Sequence, residues 1–486
     1  MHLLLLAATT GGVPAAPGYD IFLGAGQSNK FNGASFDGAL DVSDSRIYQI
    51  LNHTTPGALS GASANDPLDW PNDTVTGLIG HDVHFVKDYY LPNALQSPRK
   101  VIIVPYALGG TSVSDLPGPW GAPTGPLTAV IPNTLLPIAL SRVNSALAQT
   151  GANAVKAVLW HQGEWDYVPY GNGQIVAVLN KFRFNLLRAF LYFRQNISPT
   201  VPIVVGRLTA QSIDAGAALY AHNGLIVDGI IRATVNRMKY SGCMDSQSPT
   251  ALGTSDIHFT AAEQRLVAGR YWTAYQAALT NTLSTPTTWD ALDYPRSDWE
   301  YPAGYTLSNG NLDASGDANS GWKTIWATNP KTTGKVYAEF KVIAVASTFL
   351  GFIGFSNSDM SFTGYIGDDG NGGPSEKSAG MWDTNGQAVK GYTQVWAGNF
   401  GARSVNDVYM LALDIPAGKA WIGKNGTWGN SGDPAAGTNP WCTGLVDGEM
   451  HFLSCSIYAG TGNTWRLQAA ATNQTYPAPT GFTAWD

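Results

Sequence analysis

At 486 residues the chain outruns the roughly 250–300 residues at which single cores stop growing, so two large domains are expected. Charged residues make up only 13% while Gly (55), Trp (16) and Tyr (21) are plentiful, a balance that suits loop-rich β structure and carbohydrate contact. A net charge of −7 with no basic cluster argues against a nucleic-acid partner. No apolar run nears the roughly 20 residues of a spanning helix, so membrane insertion is not expected.

Residues 1–18 open with a short apolar run, Leu3 to Ala8, with no Lys or Arg before it, and read as an N-terminal arm in preference to a cleaved leader. From residue 19 to about 280, apolar strands alternate with helical patterns, which predicts an α/β domain with a parallel sheet. Strands are predicted at Tyr19–Ala25, Val101–Ala107, Ala154–Trp160 and Pro202–Leu208, each apolar without alternation, as when both sheet faces are covered. Helices are predicted at Thr134–Gln149, stopped by Gly151, at Ile175–Arg194 from its three-to-four spacing, and at Thr260–Leu279, opened by a Thr260/Glu263 capping box.

Four polar motifs fall at the ends of these elements. Gly26-Gln27-Ser28-Asn29 puts a serine on a glycine-flanked turn after the first strand, where a substrate carbonyl could reach both hydroxyl and backbone N–H. Gly109-Gly110-Thr111-Ser112 follows the second strand and can aim an N–H at the same cleft. Trp160-His161-Gln162-Gly163-Glu164-Trp165-Asp166 follows the third and supplies an amide and two carboxylates; Glu164 and Asp166 read equally well as substrate contacts or as loop-bracing groups. Asp256-Ile257-His258 precedes the last helix and gives the histidine best placed to serve as general base. Each motif alone is as well explained by turn structure.

Together and in this order they resemble the sequence blocks of SGNH hydrolases, closest to the sialate O-acetylesterase and acetylxylan esterase branch, over residues 19 to 280. That resemblance implies a flavodoxin-like parallel sheet flanked by helices and a serine ester hydrolase. It implies Ser28 as nucleophile and His258 as base, with an oxyanion hole formed by the Ser28 N–H, the N–H of Gly109 or Gly110 (Gly110 preferred) and the Gln162 amide. Two departures matter. Gln162 replaces the Asn of the wider superfamily, and the acid stands at Asp256 in a D-x-H spacing, with Ser255 where D-x-x-H would put it. The imidazole is thus oriented either by Asp256 or by a backbone carbonyl. The mechanism calls for no metal or organic cofactor. His81, His84, Trp120, Trp165 and Tyr167 are further candidates to line the substrate.

Residues 281–301 lose periodicity and read as a linker. Beyond them, from 302 to 486, short turn-bounded strands are predicted at Lys335–Val345, Phe349–Phe355, Val408–Ile415, Ala420–Gly423 and His451–Ile457, with turns at Asn385, Asn425 and Asp447. Gly334–Phe340, Gly351–Phe355 and Leu413–Gly426 resemble SPRY-like antiparallel sandwiches, modules that also occur in phage tail proteins. Trp382, Trp396, Trp428 and Trp441 are candidate sugar-stacking groups, while Trp421 and Phe355 read as core. Cys243, Cys442 and Cys455 have no zinc-ligand spacing; Cys442 and Cys455 read as buried thiols, with a bridge as the alternative. The expected function is removal of acetyl groups from a polysaccharide, at a virion tail and attached to other tail proteins, or otherwise outside a cell. The alternatives are a glycan-binding adhesin on an esterase fold and a secreted bacterial acetylxylan-type esterase.

Overall fold

The computed structural model describes residues 17–486 apart from 32, 35, 54, 62–63, 65, 67, 72–77, 115–134, 169–175, 214–220, 255, 283–285, 290–304, 317–321, 346–349, 358–365, 367–377, 383–386, 391–392, 395–399 and 459–461. The expected N-terminal arm, together with Trp120, Asn385 and Trp396, lies outside the described residues, save for Pro17 and Gly18.

The first half is a six-stranded parallel sheet built from β1 (Tyr19–Gly26), β2 (Ile47–Gln49), β3 (Lys100–Ala107), β4 (Ala154–His161), β5 (Ile203–Gly206) and β6 (Ser241–Met244), in the order β2-β3-β1-β4-β5-β6. Side chains alternate across a strand, and here both faces are covered, so each strand feeds two cores. Ile21, Leu23, Ile102, Val104 and Val158 pack under α1 (Leu135–Leu147), α2 (Val176–Asn196) and α3 (Ala221–Arg237). Phe22, Val101, Ile103, Leu159 and Val204 pack on the other face under a helical run from His81 to Asn93 and under α4 (Ala261–Thr280). The Thr260/Glu263 capping box is present at the start of α4. Two elements had no sequence forecast: β6 is only four residues long, and α3 carries Gly224 and Gly229, which weaken a helical pattern.

Register decides where the chemistry lies. Gly26 pairs with Ala107 on one side and His161 on the other, so β1, β3 and β4 end level. The turns leaving three adjacent strands, about 4.8 Å apart, are therefore crowded at the carboxyl edge of the sheet, where open α/β folds place their ligands.

The second half is an antiparallel sandwich of a nine-stranded and a six-stranded sheet. Its longest strands are β7 (Lys335–Ala344), β8 (Leu350–Asn357), β9 (Val408–Asp414), β10 (Lys419–Lys424) and β11 (His451–Tyr458). After β10, Asn425 (φ 50°) and Gly426 (φ 83°) both take the positive φ that a two-residue hairpin turn requires. Trp421, Trp441, Cys442 and Cys455 are buried, and all three cysteines are free thiols. Trp441 is thus core and no sugar platform. Trp382 packs on Phe352 and Trp428 on Tyr337, which ties both rings to the sandwich. Part of the expected linker belongs to the sandwich as well, because Trp289 is fully buried in its core and Thr287 N donates to the Asp486 carboxylate at 2.9 Å.

The halves meet through an apolar cluster. Phe184 on α2 packs edge-on against Trp326 and lies beside Phe352, Ile366, Met450 and Phe452. Among the described residues no helix is long and apolar enough to cross a membrane.

Candidate active site

The serine turn is forced by glycine. Gly26 has φ +137°, and a Cβ there would fall 1.9 Å from the His161 carbonyl oxygen, so only glycine lets β1 and β4 end this close together. Gln27 N then donates to that carbonyl at 3.0 Å, and Ser28 opens a one-turn helix at the edge of the sheet. The Ser28 hydroxyl lies 2.9 Å from His258 Nε2, so residues 230 apart in sequence share a hydrogen bond.

The third member of the expected triad is not formed. His258 Nδ1 stands 3.8 Å from Asp256 Oδ1, beyond hydrogen-bond reach, and the Asp256 side chain is 65% exposed. The two-residue spacing explains this. At i, i+2 a short carboxylate bends back to its own backbone, and Asp256 Oδ1 faces the His258 N–H at 3.4 Å.

The base is held instead by Asn29, the residue after the nucleophile. Its Nδ2 donates to the Ile257 carbonyl at 2.8 Å and its Oδ1 accepts from Phe259 N at 3.1 Å, clamping the chain on both sides of His258. The same Nδ2 donates to Glu164 Oε1 at 2.5 Å. Gln264 Nε2 on α4 adds a bond to the Asn29 carbonyl at 2.8 Å. Sequence reading quoted Asn29 within its motif but gave it no part to play.

Glu164 and Asp166, expected to touch substrate, are buried and spoken for. Glu164 accepts from Gln27, Asn29 and His161. Burial would raise its carboxyl, but His161 and the Asn29 amide outweigh that and hold it below the ordinary carboxylate value, so it stays ionised. Asp166 Oδ1 accepts from Val113 N at 2.8 Å and Ser114 N at 2.7 Å, pinning the chain just past Gly109-Gly110-Thr111-Ser112, while burial pushes its carboxyl up to about 7.

Gln162 also departs from expectation. Its side chain is fully buried and its amide donates to the Thr111 carbonyl at 2.5 Å and approaches Asp166 Oδ2 at 3.4 Å, so it braces the second turn and does not point a free donor at the serine. Gly110 (φ +67°) sits at the exposed tip of that turn, which is joined to the first by the Leu108 N to Gly26 carbonyl bond at 3.1 Å. Gly109 lies beside it, half-buried.

Of the aromatic and histidine candidates, His81, His84 and Tyr167 are buried; Trp165, 41% exposed on the third turn, is the one left facing solvent. His81 belongs to a buried group below the site in which Lys30 Nζ donates to Asp82 Oδ1 at 2.5 Å and lies 3.0 Å from His81 Nε2. Among the described residues no cluster of His, Cys, Asp or Glu is arranged to hold a metal ion.

A carbohydrate esterase family, described as sialic acid-specific acetylesterase, matches residues 18–277. Among solved structures the chain is similar to NanS, with 17% identity, TM-score 0.40, and coverage of 55% of this chain and 98% of that one. Its sandwich half is similar to the SPRY domain of human HERC1 (13% identity, TM-score 0.26, covering 36% of this chain and 94% of that one) and to the PSpry domain of TRIM65 (14%, 0.27, 38% and 92%). No curated protein matches the chain.

Proposed function

Because the chain belongs to the sialic acid-specific acetylesterase family of carbohydrate esterases, we propose that it removes O-acetyl groups from a glycan through an acetyl-serine intermediate. The observation that carries this is the 2.9 Å contact between the Ser28 hydroxyl and His258 Nε2 at the carboxyl edge of the sheet.

In the first step Ser28 Oγ attacks the acetyl carbonyl as His258 Nε2 takes the hydroxyl proton. The oxyanion is received by the backbone N–H groups of Ser28 and Gly110, on turns already braced by Asn29, Gln162 and Asp166 and so aligned without reorganisation. His258 then passes its proton to the departing sugar oxygen. Water, deprotonated by the same imidazole, releases acetate and restores the serine. Trp165 offers an exposed ring on which a pyranose can stack.

The substrate in this proposal is a bacterial surface polysaccharide, and the setting is a phage tail, with attachment to other tail proteins and the sandwich helping to hold the polymer. The support is limited to the pairing of an esterase half with a sandwich half that is similar in sequence to modules found in such proteins. Hydrolysis of an aryl acetate by the intact chain, abolished in Ser28→Ala at unchanged thermal stability, is the expected result. Equal background rates for both proteins would leave a glycan-binding adhesin. Acetate release from acetylated xylan, sialosides and bacterial capsules then identifies the sugar.

A further inference from the structure

We propose that the cavity between the two halves is a second saccharide site, which takes a carboxylated sugar unit of an acidic glycan and anchors the polymer away from the catalytic serine. The proposal rests on the glycan-directed activity above and adds the charge of the substrate and a place where it is held.

The cavity holds about 260 Å³, near the lower end of small-molecule sites at about 300 Å³, which suits one sugar unit. Its floor is apolar: Phe184, Leu187 and Leu191 of α2, with Phe452 of β11 facing them. Its walls are cationic. Arg183, Arg194, Arg237 and Lys239 line it, and no Asp or Glu does. In a chain with 35 acidic and 28 basic residues, four cations around one cavity without a carboxylate form a local field opposite to the net charge.

Two of these cations also sit in the last turns of α2 and α3, where positive charge offsets the helix dipole. That accounts for their presence at helix ends but not for an open cavity between them. Arg194 Nη2 is used by the carbonyls of Lys239 and Tyr240, whereas its Nε is buried with no hydrogen-bond partner. Burial holds the Arg194 guanidinium down at about 10, and Lys331 nearby is also lowered by burial, with Lys239 adding to the effect and Asp486 opposing it. Uncompensated positive charge of this kind is relieved by an incoming oxyanion. A guanidinium wall over an apolar floor matches a carboxylate carried on a ring with a C–H face.

The cavity lies at the other edge of the sheet from the chemistry. Pro199 and Tyr240 line it and precede β5 and β6, while Ser28 and Gln162 follow β1 and β4. Even the four-residue β5 spans about 13 Å, so a single sugar cannot occupy both places, whereas a polymer can.

The test is a calorimetric titration of the full Ser28→Ala chain with glucuronate, glucose and inorganic phosphate, repeated with Lys239→Glu added. Lys239 is exposed at the rim, so its replacement leaves folding and aryl acetate hydrolysis unchanged. Saturable glucuronate binding is expected, at least about tenfold tighter than glucose or phosphate, and weakened about tenfold by the added Lys239→Glu. No saturable glucuronate binding overturns the proposal. So does phosphate binding as tightly as glucuronate, or glucuronate binding indifferent to Lys239→Glu. A failure of the esterase assignment would show only in the aryl acetate assay on the Ser28-bearing chain and would leave these titrations readable.

Discussion

Asn29, more than Asp256, should govern how fast His258 works. Replacing Asn29 by alanine removes the donor to Ile257 O, the acceptor for Phe259 N and one donor to Glu164. At about 1 kcal/mol net for each neutral bond and about 2 kcal/mol for the bond to the carboxylate, the fold loses about 4 kcal/mol, which a domain of ordinary stability survives. The two neutral bonds are those that hold the base against the nucleophile. Losing about 2 kcal/mol of that restraint in the transition state lowers kcat about 30-fold, with KM for a small aryl acetate little changed. Asp256→Ala removes only a solvated carboxylate 3.8 Å from the ring, worth at most about 1 kcal/mol, so kcat falls no more than about fivefold. Steady-state kinetics on both variants, with urea unfolding to show that each is folded, decide the matter. A larger loss in Asp256→Ala than in Asn29→Ala would refute the reasoning.

Trp165→Ala should raise KM for an acetylated polysaccharide by about tenfold while leaving aryl acetate kinetics alone, since stacking on an exposed ring contributes about 1 kcal/mol or slightly more; equal effects on both substrates would remove the ring from sugar recognition. Asp66, buried and raised from 3.8 to about 7 by burial, holds its proton more tightly folded than unfolded. Its contribution to stability is therefore complete below pH 3.8 and is lost as pH rises through about 7. Asp66→Asn should flatten the decline of the urea midpoint across that window, and an unchanged slope would exclude Asp66 as its source.

The parallel sheet could be read from sequence because β1, β3 and β4 are continuous apolar runs, and buried parallel strands admit little else. The four motifs could be read because polar residues and glycines interrupt those runs at strand ends. What stayed hidden were partnerships over long separations. The partners of Asn29 lie about 230 residues away, and nothing in Gly-Gln-Ser-Asn points to them. Glu164 and Asp166 looked like substrate contacts because carboxylates in an active-site turn are usually solvated; the amides that surround them come from other turns. Gln162 was misplaced for the same reason, since the Thr111 carbonyl that captures its amide belongs to another turn.

Phe184 and Asn185 are consecutive on α2 but serve different masters. Phe184 is embedded in the sandwich, whereas Asn185 Nδ2 holds the Val113 carbonyl at 2.9 Å, next to the bracket that fixes the second turn. Any engineer who severs the hydrolase half from its companion would leave an oily patch around Phe184, Leu187 and Leu191 in water. The helix carrying that patch also steadies the chain just past the oxyanion turn, so the liberated half would be both stickier and a poorer catalyst than the same residues in the whole molecule.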